Sequence, residues 1–138
     1  MADFTNFKMN DEGIKALFKE HLGSEETEQY YFCATSETFG KTLMLGAASL
    51  FTNKYFVFNV TQKGIHIYGL TSFLKPKEYS FIQRSEIKRV TMKNGFLGLK
   101  KNIEIEFNQG GGMKIAANKR EYTIKEQGNN LEAVAKMF

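Results

Sequence analysis

The sequence predicts a mainly β, α+β domain: seven or eight antiparallel strands, with helices only near the two ends. Three observations carry this. Between residues 29 and 117 apolar side chains recur with period two, as they do along half-buried strands. Thirteen Phe and six Tyr, with one Pro and no Trp, favour extended structure. Helical periodicity is confined to one stretch before residue 23 and one after residue 128.

The first helix is expected over 10–22. Asn10 can cap it, Asp11 and Glu12 suit the positive end of its dipole, and Gly23 can end it. Ile14, Leu17, Phe18 and Leu22 form one apolar stripe with His21 beside it. The acidic run "SEETE" at 24–28 reads as a solvated linker. Strands follow in "QYYFCATSE", in "TLMLGAASLF" and "KYFVFNV" as two strands or one, and in "IHIYGL" after a turn at Gly64. "EYSFIQ", "KRVTMK", "NIEIEFN" and "MKIAA" continue the series. In "NIEIEFN", Ile103, Ile105 and Phe107 point inward and Glu104 and Glu106 outward. The last element is a helix over 130–138, capped by Asn129 or Asn130, with Leu131, Val134, Ala135 and Phe138 as its stripe.

The 138 residues suit one structural unit, divided as a helix and acidic linker at 1–27 and a β domain at 28–138. Net charge is +4 but uneven: residues 1–37 hold three basic and eight acidic side chains, and the remainder sixteen and seven. Such a balance speaks to solubility and nonspecific attraction, not to fold. Cys33 is the single cysteine and its apolar setting "YYFCAT" reads as a buried structural thiol. Asp3, Lys8 and Asp11 interrupt any apolar leader, so a cytoplasmic protein is expected.

The motifs "T-x-K-G-I-x-I-Y" at 61–68, "EIKRV" at 86–90, "NGFLG" at 94–98, and "IEIEF" with its glycine turn and "MKI" at 103–115 resemble a bacterial pleckstrin-homology-like (PH-like) domain. The resemblance implies a PH-like barrel of two near-orthogonal antiparallel sheets, closed at one corner by the C-terminal helix, with the 10–22 helix packed on the flank. It also implies a scaffold for binding, to phosphoinositide headgroups in some members and to proteins or to itself in others. Lipid-binding members ring the first hairpin loop with basic residues; here that loop is "SETFGKT", with Lys41 alone beside Glu37.

One stretch stands out as a candidate binding surface. "KRVTMKNGFLGLKKN" at 88–102 carries Lys88, Arg89, Lys93, Lys100 and Lys101 around the apolar tip Phe96–Leu97 and contains no acid. Strand alternation allows Arg89 and Lys93 to share a face, with Lys101 opposite them across the hairpin. The tip is expected to pack against the end of the barrel. On that basis three aligned cations contribute roughly 3 kcal/mol toward an anionic membrane, and the protein is expected to stay in solution beside anionic vesicles at an ionic strength of about 0.15 M.

The rest of the sequence points away from chemistry. "QGGGMKIAA" lacks the spacing and the following helix of a phosphate loop. His21 and His66 are the two histidines, and no metal-ligand spacing includes them. His66 alternates with Ile65 and Ile67 and is expected to face solvent. Glu104 and Glu106 lie on a solvated face. The expectation is therefore a non-catalytic module without a cofactor, acting through a protein partner or homo-oligomer. Weak contact of hairpin 88–101 with an anionic membrane is the alternative. Neither nucleic acid nor a small-molecule substrate is expected, since the aromatics near these cations do not form a stacking platform.

Overall fold

The computed structural model describes residues 7–36 and 55–138. Helix α1 spans Asp11–Lys19, and strands β1 (Tyr30–Ser36), β2 (Tyr55–Thr61), β3 (Gly64–Leu70) and β4 (Pro76–Gln83) follow. A 3-10 turn at Arg84–Glu86 leads into β5 (Ile87–Asn94), β6 (Lys100–Phe107) and β7 (Gly112–Asn118), and helix α2 spans Gln127–Met137. The fold is mainly β, as the period-two pattern required. The stretch "TLMLGAASLF" and the loop holding Glu37 and Lys41 lie outside the described residues.

Among the described residues seven strands form one antiparallel sheet in the order β4-β3-β2-β1-β7-β6-β5, with no pairing between β4 and β5. The expectation was a barrel of two near-orthogonal antiparallel sheets; the described strands follow one another in a single hydrogen-bonded order. Among the described residues β1 and β7 are paired at Thr35↔Ala116 and Ser36↔Ile115. The other ladders are long, with β2 and β3 paired from Tyr55↔Leu70 to Thr61↔Gly64. Gly64 makes that hairpin possible: its φ is +153°, and a Cβ there would sit 2.0 Å from the carbonyl oxygen of Ile82.

Both faces of the β1–β2–β3 region are covered. On one face Phe32, Phe56, Phe58, Val60, Ile65 and Ile67 join Ile103, Ile105, Met113 and Ile115 beneath Leu131 and Val134 of α2. On the other, Tyr31, Val57, Tyr68 and Leu70 pack with Ile14, Leu17 and Phe18 of α1. Hence every residue of β3 is buried, including those a one-sided sheet would leave in water. Burying a side chain such as Leu131 or Phe18 contributes about 1.5–3 kcal/mol.

Helix α1 starts as its sequence dictates, with the Asn10 side chain accepting a hydrogen bond from the Gly13 N–H at 2.8 Å. Its regular turns stop at Lys19, short of the expected 22, and His21 and Leu22 bond back to the carbonyl of Phe18. Helix α2 departs further. It begins at Gln127, and Asn129 and Asn130 lie inside it rather than capping it. The reason is distant in sequence: the Asp11 carboxylate accepts the N–H groups of Lys125 at 2.7 Å and Glu126 at 3.2 Å, so α1 supplies the anion at the α2 start. Asn130 is freed to donate to the Tyr31 carbonyl at 2.9 Å. Ala135, expected on the apolar stripe, is exposed. At the far end Arg84 donates to the Met137 carbonyl at 2.6 Å and lies over the Phe138 ring.

Gln127 closes the β1–β7 seam at the point where the two strands part. Its amide accepts the Cys33 N–H at 2.9 Å and donates to the carbonyls of Cys33 at 3.1 Å and Asn118 at 2.9 Å. Where β1 and β7 part company, one buried side chain thus satisfies backbone groups on both strands.

Candidate functional site

Two regions hold the side chains that bear on function. The first is a buried polar network beneath α1. Residues 23–28 cross the β2–β3 hairpin as a strap, and Glu26 turns inward from it. Its carboxylate accepts the Gly23 N–H at 2.9 Å, the Thr61 hydroxyl at 2.5 Å and His66 Nε2 at 2.7 Å. A carboxylate only accepts, so Nε2 of His66 donates to it, and Nδ1 of His66 lies 2.6 Å from the Tyr79 hydroxyl. Burial works to raise the Glu26 carboxyl, but the bonds from Gly23, Thr61 and His66 outweigh it and hold it below the usual range. Burial, then Glu26, pushes the Tyr79 hydroxyl up to about 12.

His21 completes the network from the end of α1. Its ring stacks on Tyr79 at 3.8 Å, and its Nδ1 lies 2.8 Å from the Tyr68 hydroxyl. Burial depresses its proton affinity, and neighbouring His66 adds to this against the opposing charge of Glu20. Asp11 forms a parallel anchor: its carboxylate accepts from the Tyr31 hydroxyl at 2.6 Å as well as from the α2 backbone. Burial works to raise its carboxyl, and these bonds bring it below its ordinary value.

This network corrects two expectations. His66 does lie on the face opposite Ile65 and Ile67, but that face is roofed by α1 and the strap, so its side chain is 2% exposed. The acidic run is not simply a solvated linker: Glu25 and Glu28 are exposed, while the Glu26 side chain is 5% exposed. A local signal existed in "YFVFNVT" and "GIHIYGL", whose nearly unbroken apolar character is that of strands covered on both faces. The partners themselves stand 35 and 40 residues apart, beyond the reach of periodicity.

The second region is the 88–102 hairpin. Its register sets Arg89 opposite Glu106, Thr91 opposite Glu104, Lys93 opposite Asn102 and Asn94 opposite Lys101. Lys101 therefore does not share a face with Arg89 and Lys93, and the expected row of three cations does not form. Arg89 Nε lies 3.6 Å from Glu106, and Lys101 Nζ donates to Asn94 Oδ1 at 2.8 Å. On the adjoining strand Lys114 faces Glu104, so this sheet face carries mixed charge. Lys88 is exposed at a bulge between Ile87 and Arg89.

The tip also differs from expectation. The backbone closes through Gly95 N–H to the Lys100 carbonyl at 2.8 Å and Gly98 N–H to the Gly95 carbonyl at 3.1 Å. Leu97 takes the left-handed conformation, φ +52° and ψ +23°, which is costly for a residue with a branched Cγ. It is 79% exposed and Leu99 is 63% exposed. The tip lies outside both apolar clusters, whose buried helical members are Ile14, Leu17 and Phe18 on one face and Leu131 and Val134 on the other. Lys93 and Lys100 are exposed around it.

Cys33 lines a cleft of about 660 Å³ with Thr35, Tyr55, Leu70, Leu74 and Lys100. Burial and then Glu121 push its thiol up to about 12, so it is protonated and unreactive at neutral pH. Among the described residues no three His, Cys, Asp or Glu side chains are grouped to hold a metal ion, and no helix is long and apolar enough to cross a membrane. Comparison with family models, curated proteins and solved structures returned no match.

Proposed function

We propose that this chain is a non-catalytic binding module of PH-like architecture, acting through a protein partner or a second copy of itself. The PH-like reading is supported by the strand order and by α2 seated over the β1–β7 seam, where Gln127 bonds the Cys33 and Asn118 carbonyls. One observation carries the functional reading. The side chains able to do chemistry are committed to holding elements together: Glu26, His66, Tyr79, Asp11 and Gln127 each bridge two or more segments. The large apolar side chains Leu97, Leu99 and Tyr122 instead stand in solvent, on two segments joined by the Leu99–Lys119 hydrogen bond, and contiguous exposed apolar surface marks contact sites. Light scattering coupled to size-exclusion chromatography, with a pull-down from native extract, tests it. Self-association or specific capture that Leu97→Ser/Leu99→Ser removes supports the module; a monomer that captures nothing counts against it.

A second reading is peripheral contact with an anionic membrane through hairpin 88–101. It is favoured by the exposure of Leu97 and Leu99 beside Lys93 and Lys100. Apolar side chains that enter the interfacial zone supply the second signal that cations alone do not.

A further inference from the structure

The membrane-facing reading of the hairpin tip acquires a second half when the neighbouring loop is considered. The carbonyl of Leu99 accepts the N–H of Lys119 at 3.0 Å, and Lys100 pairs with Asn118 across the β6–β7 ladder. The segment after β7 therefore emerges beside the tip. It carries Lys119, an exposed Arg120 and Tyr122, which is 99% exposed. The one acid in this run is turned back: Glu121 Oε1 accepts from the Asn118 side-chain amide at 2.9 Å. Apolar and aromatic side chains with almost no protein neighbours thus stand among cations contributed by two separate segments.

Resting on that second reading, we infer that the β5–β6 tip and the 119–122 loop form one composite surface that docks on an anionic lipid bilayer. Charge complementarity argues for this occupant. Lys100, Lys119 and Arg120 suit the negative leaflet, to which each cation contributes about fivefold in affinity. Leu97, Leu99 and Tyr122 suit the interface below it, where leucine inserts and tyrosine keeps its hydroxyl at headgroup level. Leu97 and Tyr122 project into solvent at 79% and 99% exposure, while Leu99, Lys119 and Arg120 rim a cleft beside them. The left-handed Leu97 is consistent with this: the backbone accepts strain and thereby presents the side chain outward.

The test is co-sedimentation of the full chain with phosphatidylcholine vesicles containing phosphatidylglycerol, beside vesicles of phosphatidylcholine alone, at low salt and at about 0.15 M. Circular dichroism melting of each variant checks that it folds. Wild type is expected to pellet with the anionic vesicles and less so as salt rises. Leu97→Ser/Leu99→Ser is expected to release it, and Lys119→Glu/Arg120→Glu to weaken partitioning by about tenfold or more. Tyr122→Ser is expected to weaken it at both salts. If the tip variant loses binding while the 119, 120 and 122 variants bind like wild type, the composite surface is refuted and the hairpin reading stands. If wild type stays in the supernatant at low salt, both fall.

Discussion

The carboxylate of Glu26 lies 2.7 Å from Nε2 of His66, with both side chains withdrawn from water and each committed elsewhere, Glu26 to Thr61 and Gly23 and His66 to Tyr79. One contact thereby ties the acidic strap to the third strand and, through Tyr79, to the fourth. Glu26→Ala leaves the His66 N–H and the Thr61 hydroxyl without their acceptor and is expected to cost about 3 kcal/mol. Urea unfolding checks this through the midpoint. Glu26→Gln, which keeps an acceptor oxygen, is expected to cost less.

His21 sets a pH dependence with a definite sign. Its folded-state proton affinity lies below the ordinary value of 6.5 because it is buried beside Tyr68 and Tyr79. The unfolded chain binds that proton first, so its contribution to stability is present above about pH 6.5 and is lost as pH falls toward the folded value. Glu26 and Asp11, both depressed, add a second loss at more acidic pH, below their ordinary 4.5 and 3.8. Melting temperature against pH is expected to fall in two stages, and His21→Gln to flatten the first.

Gln127 predicts a local effect. Gln127→Leu removes one acceptor and two donors from the β1–β7 join, leaving the Cys33 N–H and two carbonyls unpaired, at about 1–3 kcal/mol for each group left buried. Hydrogen exchange is expected to accelerate first at the Cys33 amide. Uniform acceleration across the sheet would mean that Gln127 supports no local join.

Leu97 separates stability from binding. Asn tolerates the left-handed region that costs Leu roughly 1 kcal/mol, and this side chain packs on little. Leu97→Asn is therefore expected to leave the melting temperature unchanged or slightly raised while impairing association. A clear loss of stability would show that the tip is part of the core.

These results mark what local pattern reveals. All seven described strands lie where period two placed them, because alternation is decided by near neighbours. Cover is not. His66 has solvent-facing parity yet is buried, since what lies over it is a strap whose Glu26 stands 40 residues earlier and a helix that precedes the strap. Asn130 has a capping residue's identity yet sits inside α2, since Asp11 takes the role of anion at that helix start. The cationic hairpin was legible as composition, but its charge pairing depends on register, and a one-residue difference in pairing moved Lys101 to the other face. That the 119–122 segment emerges beside the tip was invisible, because it follows from the Leu99–Lys119 contact.

On the function proposed above, the buried polar network is frame and the projecting tip is the working surface. Hydrogen exchange of the full chain, free and with anionic vesicles, tests it most directly. Protection is expected to rise at residues 95–101 and 119–123 and to stay unchanged at Glu26, His66 and Tyr79. Protection centred on the 23–28 strap and the β2–β3 hairpin, with the tip unaffected, would contradict it.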